Sequence, residues 1–155
     1  MPLDPATDRD ALFAYRHPGI LARFVREHGV APERAEELFR DALAWLWLCR
    51  RFRERRAEGS LPADFALGMH PELLALDEMW HTMILFTRDY AALCERHLGG
   101  FVHHDPAPEG PRELPSDEAF AAEITTLYTF VAEELGEETL LRWFEERRHA
   151  QLHAA

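Results

Sequence analysis

Residues 32–57, Pro32-Glu-Arg-Ala-Glu-Glu-Leu38-Phe39-Arg-Asp-Ala42-Leu43-Ala-Trp45-Leu46-Trp47-Leu48-Cys49-Arg50-Arg51-Phe52-Arg53-Glu54-Arg55-Arg56-Ala57, decide what kind of fold this chain can adopt. Pro32 suits the first turn of a helix, where its missing N–H costs no hydrogen bond. Leu38, Phe39, Ala42, Leu43, Trp45, Leu46 and Cys49 then recur at helical spacing and point inward. The middle, Leu43 to Leu48, is apolar almost all round, as in a helix covered on several sides.

The flanking segments supply the helices that would do the covering. Pro18 opens a short amphipathic helix with Ile20, Leu21, Phe24 and Val25, closed near Gly29. Gly59 ends the long helix, and a loop runs through Pro62 and Gly68 to Pro71, where a third helix starts with Leu73, Leu74, Leu76, Trp80, Met83 and Ile84. Thr87 is an N-cap candidate, so this stretch is expected to break into a fourth helix ending at Gly99-Gly100. A loop covers residues 99–115. Ser116-Asp117-Glu118 caps a fifth helix carrying Phe120, Ile124, Leu127, Tyr128, Val131 and Leu135. Gly136 stops it, and Glu137 to Arg148 form a last helix with Leu140, Leu141 and Phe144. No strand-like alternation of any length and no internal repeat interrupts this pattern. The fold expected is all-α: one domain over residues 1–155, a bundle of about five to six helices.

Composition narrows the function. At 155 residues with 47% apolar and 29% charged residues, the chain is of globular type and long enough to bury a core. Asp and Glu outnumber Lys and Arg 28 to 17, a net charge of −11, which disfavours nucleic-acid backbones as partners. The local exception is the run Arg50-Arg51-Phe52-Arg53-Glu54-Arg55-Arg56, read as either a solvated helix end or a basic docking patch. Cys49 and Cys94 form no CxxC pair and no disulfide framework, which suits a reducing compartment. Met-Pro-Leu-Asp-Pro at the start lacks the basic and apolar regions of a signal peptide, and the longest apolar run, Ala42 to Cys49, cannot cross a bilayer. A cytoplasmic location with no membrane partner is expected. No phosphate loop or nucleotide fingerprint is present, so no nucleotide cofactor is expected.

The chemistry concentrates in residues 77–106. Asp77 and His81 are four apart on a helix and stack on one face. Cys94 and His97 follow, and the Gly99-Gly100 turn leads to Phe101-Val-His103-His104-Asp105-Pro106. The combination Asp77-x-x-Trp80-His81, Ile84-Leu85-Phe86-Thr87-Arg88-Asp89-Tyr90, Cys94, the glycine pair and Phe101-x-His103-His104-x-Pro106 resembles the glycine-rich domain-containing protein-like family, in its short bacterial branch. The resemblance extends over about residues 35–145. The chain departs from that name: it has eight glycines and no glycine-rich tract, a feature of larger plant relatives. The resemblance implies no settled activity, and those larger relatives lack the His103-His104 turn. A ligand set must therefore be argued from these residues alone.

Two imidazoles and one carboxylate from Asp77, His81 and His104, with open positions left over, match the donors of non-haem iron and of many catalytic zinc sites. Cys94 could join or replace one of them, favouring zinc or copper. His103 or Asp105 could supply a fourth donor or an outer partner, and Trp80 with Phe101 an apolar wall. Such a centre would serve oxidation with iron, and hydrolysis or structure with zinc. The alternative is a structural knot in which His81, Asp77 and His104 only hydrogen-bond one another, within a non-enzymatic interaction module whose working surface is the arginine run or an acidic face. Cys94 with a histidine and Asp77 also has the residue types of a nucleophilic triad, though a mid-helix cysteine beside Leu93 reads first as core. His97 reads as a solvated helix-end residue, and His17, His28, His70, His149 and His153 read as surface residues. The metal reading depends on one geometric condition. The turn after Gly100 must swing an imidazole back onto the Asp77–His81 face.

Overall fold

The computed structural model of the chain describes residues 5–106, 109–111, 113–145 and 151–153. Among these residues there are seven α-helices and no strand: α1 (Pro5–Phe13), α2 (Pro18–His28), α3 (Pro32–Ala57), α4 (Leu74–Leu85), α5 (Thr87–His97), α6 (Asp117–Leu135) and α7 (Glu137–Phe144). A 3-10 turn, Pro71–Leu73, leads into α4.

The long helix is the hub. Every residue from Asp41 to Leu48 is buried, and α3 packs against α1, α2, α4 and α6. Full burial of a large apolar side chain contributes about 1.5–3 kcal/mol. Leu43, Trp45, Leu46, Trp47 and Leu48, each at most 3% exposed, therefore anchor the packing of all four neighbours. Asp41 lies in the same buried stretch. Its carboxylate accepts from both Arg142 guanidinium nitrogens at 2.8 and 2.7 Å and from the Trp143 indole at 3.1 Å, which docks α7 onto the hub.

Helix ends follow local chemistry. Gly29 takes the left-handed conformation (φ 63°) that closes α2, and Ser116 accepts the Ala119 N–H to open α6. The expected count of five to six helices falls short by α1. That segment carries few apolar residues, and tertiary contacts rather than its own pattern hold it: Leu12 is fully buried and Asp8 pairs with Arg50 at 2.8 Å. Phe120 and Leu141 are 51% and 45% exposed and so lie off the buried faces of α6 and α7. The last helix is described only as far as Phe144, so its expected extension to Arg148, and His149, lie outside the described residues. Among the described residues no helix is long and apolar enough to cross a membrane.

The arginine run is tied into the fold by hydrogen bonds, with Arg53 and Arg56 still exposed. Arg50 donates to Asp8, Glu54 and the His97 carbonyl; Arg51 to Glu54 and Glu134. Arg53 donates to the Leu98 carbonyl, Arg55 to Glu133 and Glu134, and Arg56 to the carbonyls of Phe65 and Ala63. Burial opposes the Glu54 carboxylate, but hydrogen bonds from Arg50 and Arg51 outweigh it and hold its pKa below the ordinary value.

Candidate metal centre

The centre is built from α4 and from the segment that follows α5. Ala75, Leu76, Met79, Trp80 and Met83 bury one side of α4 in the core. This leaves Asp77, Glu78, His81 and Ile84 on the outer edge, with Asp77 and His81 one turn apart. The helix stops at Leu85 because Phe86 (φ −84°, ψ 64°) leaves the helical region. Thr87 is thus the first residue of α5 rather than its cap, and α5 turns back to pack on α4.

At the far end of α5 the N–H groups of Leu98 and Gly100 both reach the Cys94 carbonyl, at 2.9 and 3.4 Å. Gly99 (φ 68°) and Gly100 (φ 148°) supply the reversal that only glycine makes without strain. Arg50 and Arg53 of α3 hold the terminal carbonyls of His97 and Leu98 at 2.8 and 2.5 Å, as suits cations at a helix C-terminus.

Beyond the turn, residues 101–106 run without helix or turn, and from Phe101 to Asp105 their exposure alternates. Val102 is buried and His104 half-buried, while Phe101, His103 and Asp105 face solvent. A buried hydroxyl fixes this register. Tyr90 Oη accepts from the Trp80 indole N–H at 3.0 Å and donates to the Val102 carbonyl at 2.5 Å. Burial pushes the Tyr90 phenol well above its ordinary pKa, so it stays a donor at every physiological pH. The His104 ring then rests on the Trp80 ring, centroids 4.2 Å apart and tilted by 38°.

Three side-chain donors meet there. His104 Nε2 lies 2.7 Å from Asp77 Oδ1 and 3.0 Å from His81 Nε2, and His81 Nε2 lies 3.4 Å from Asp77 Oδ2. The condition set by the sequence is met by His104: its imidazole returns to the acid–imidazole face of α4. Asp77 and His104 are 14% and 17% exposed and His81 is 46% exposed, so the group is set on a firm floor and open on one side. His81 Nδ1 faces the Glu78 carboxylate at 3.8 Å. On the open side a depression of about 290 Å³ is lined by His81, His104, Ile84 and Pro106.

The other candidates fall elsewhere. His103 is exposed and packs edge-on against Phe101 rather than joining the three donors. Phe101 itself is 47% exposed and packs on Tyr90, so the floor of the site is Trp80, while Ile84 and Pro106 provide its apolar rim. Cys94 is fully buried on the inward face of α5 with Tyr90 and Leu93. Burial raises its thiol pKa, against hydrogen bonds from the Val102 backbone and Tyr90 that lower it less. It is thus a core thiol, with neither the exposure nor the depressed pKa of a nucleophile.

Two histidines are better connected than their sequence suggests. His17 accepts the Ile20 N–H at the start of α2 and meets Asp89 at 2.7 Å, tying α2 to α5. His97 is half-buried; burial first, then the Arg96 charge, lowers its pKa, with Asp8 opposing. Sequence reasoning did not single out Tyr90 as the residue that sets the register. A usable signal was present: Val102 is the apolar residue two places before His104, and alternation would have separated His104 from His103.

Comparison with known families corrects the expected resemblance. The matching model is that of the UCP032817-like family, over residues 69–132, and not that of a glycine-rich domain-containing family. The matched stretch takes in all of α4, α5, the turn and the extended segment, hence all three donors, together with most of α6. The description of that family names no activity. No curated protein and no solved structure shows a significant match to the chain.

Proposed function

We propose that Asp77, His81 and His104 bind one divalent metal ion and that the open side of this centre is where the protein does its chemistry. The observation that carries the reading is the mutual spacing of three donor atoms from two separate segments. An ion with bonds of about 2.0–2.1 Å sets its ligand atoms about 3.3 Å apart in a tetrahedron and about 2.9 Å apart at right angles. One ligand atom from each residue lies within 4.8 Å of the other two, and His104 Nε2 stands 2.7 Å from Asp77 Oδ1 and 3.0 Å from His81 Nε2, close to these values.

A purely structural knot is the weaker account. In it His104 Nε2, 2.7 Å from Asp77 Oδ1 and 3.0 Å from His81 Nε2, has at most one N–H for two acceptors. Its most exposed member, His81, is also free to pair with water at no cost, so joining the knot gains it little. The alternative of a basic docking module is weakened, because acids and carbonyls of the same chain already pair with the arginine run.

In this reading α4 orients Asp77 and His81, the Trp80 ring supports His104, and Glu78 stands opposite the far nitrogen of His81. Such a centre supplies Lewis-acid chemistry with zinc and oxygen-dependent oxidation with iron. The test is elemental analysis of untagged protein. About one equivalent of iron, zinc or copper is expected per chain, lost in both His81→Ala and His104→Ala while the helical fold persists. Wild-type protein that takes up none of these ions under reducing conditions overturns the proposal.

A further inference from the structure

The open side of the centre also constrains what can bind there. The depression of about 290 Å³ falls just below the roughly 300–1,000 Å³ typical of small-molecule sites. Apart from the two imidazoles, its lining is Ile84 and Pro106, both apolar. Among the described residues no arginine lines it, and the chain contains no lysine. A divalent ion on one carboxylate keeps a single net positive charge, and Glu78 adds negative charge 3.8 Å behind His81. A second anionic group on an incoming molecule would find no cation among the described lining residues. Three protein donors on one side leave adjacent positions open on the other, which suits a ligand that chelates through two atoms.

Resting on the metal reading above, we infer that this site takes small, singly charged oxygen chelators with an apolar body, such as a hydroxamate or an enolised 1,3-dicarbonyl, and discriminates against dianionic chelators. Charge balance selects one negative charge, and Ile84 with Pro106 selects the apolar body. Substrates of this class carry neighbouring oxygens on an otherwise hydrocarbon frame. Dicarboxylates and phosphate esters are disfavoured because none of the described rim residues neutralises their second charge.

Cobalt(II) is the probe, because its visible bands report both loading and ligand exchange. Apo protein is first titrated with cobalt(II), and the loaded protein then with acetohydroxamate, benzohydroxamate and oxalate, each referred to its affinity for free cobalt(II). Benzohydroxamate is expected to bind roughly fivefold or more tighter than acetohydroxamate beyond the free-ion ratio, its ring lying against Ile84 and Pro106. Oxalate is expected to lose at least about tenfold relative to its free-ion affinity. Ile84→Thr should return the hydroxamate ratio to the free-ion value without changing cobalt uptake. Cobalt uptake followed by free-ion ratios for all three ligands overturns this inference and leaves the metal centre standing. Failure of cobalt to bind at all overturns both.

Discussion

Removing one oxygen atom from Tyr90 should loosen the candidate site without touching any of its donors. In the folded protein that hydroxyl accepts the Trp80 indole N–H at 3.0 Å and donates to the Val102 carbonyl at 2.5 Å, with all three residues at most 7% exposed. Tyr90→Phe keeps the ring and its volume, so no cavity opens. What remains is a buried donor and a buried acceptor, each costing about 1–3 kcal/mol when left without a partner. Allowing for incomplete additivity, a loss of about 2–4 kcal/mol is expected, or about 5–15 °C in Tm for a chain of this length. The Val102 carbonyl also sets the register of the segment carrying His104. Cobalt or zinc affinity should therefore fall by about 10–100-fold, the range seen when an outer hydrogen bond behind a ligand is lost. Calorimetric melts of apo protein and metal titrations of both proteins give the two readouts. A variant within about 1 °C of wild type and with unchanged affinity would refute the argument that this hydroxyl holds the segment in place.

Other expectations concern the metal, the thiols and the acid limb of stability. Metal should stabilise the fold by mass action, by about 2.7 kcal/mol at a hundredfold excess over Kd, and melts of His81→Ala should show no such gain. Burial first pushes the Cys49 thiol up to about 12 and also raises that of Cys94, so neither should react with iodoacetamide near pH 8 until the protein is denatured; mass spectrometry of the alkylated chain decides this. Stability should fall in two stages as pH drops. The His97 pKa is lowered in the fold, so its contribution is complete above about pH 6.5 and is lost as pH falls through the depressed value; Glu54, also lowered, adds a second loss below about pH 4.3. Denaturant titrations across this range should show the first stage flattened in His97→Gln and the second in Glu54→Gln.

The parts of the fold that could be read in advance were those that a single stretch of chain determines. Pro32, the apolar run to Leu48 and Gly59 delimit α3, and Ser116 and Gly136 do the same for α6. These are local signals, each acting within a turn or two. The α1 helix was missed because its stability comes from Leu12 and from the Asp8–Arg50 pair, contacts that reach across more than thirty residues. The partners of the arginine run were hidden for the same reason: nothing near it in sequence names Glu133, Glu134 or the carbonyls of His97 and Leu98. At the site, Asp77 and His81 were legible from helical spacing. The return of His104 needed the turn at Gly99-Gly100 to close in one particular direction, and distant arginines fix that direction. Cys94 had the right element for a ligand but lies on the inward face of α5, where burial makes it core.

Because side chains from Phe101 to Asp105 point alternately inward and outward, the identity of the third donor depends on counting. Loss of one residue between Gly100 and Val102, with the rest of the segment kept, would bring Asp105 to the place His104 holds and turn His104 towards water. The centre would then offer two carboxylates and one imidazole, a harder set suited to magnesium or manganese rather than to zinc or copper. A single codon deletion in this segment could thus retune ion preference while every helix stayed as it is.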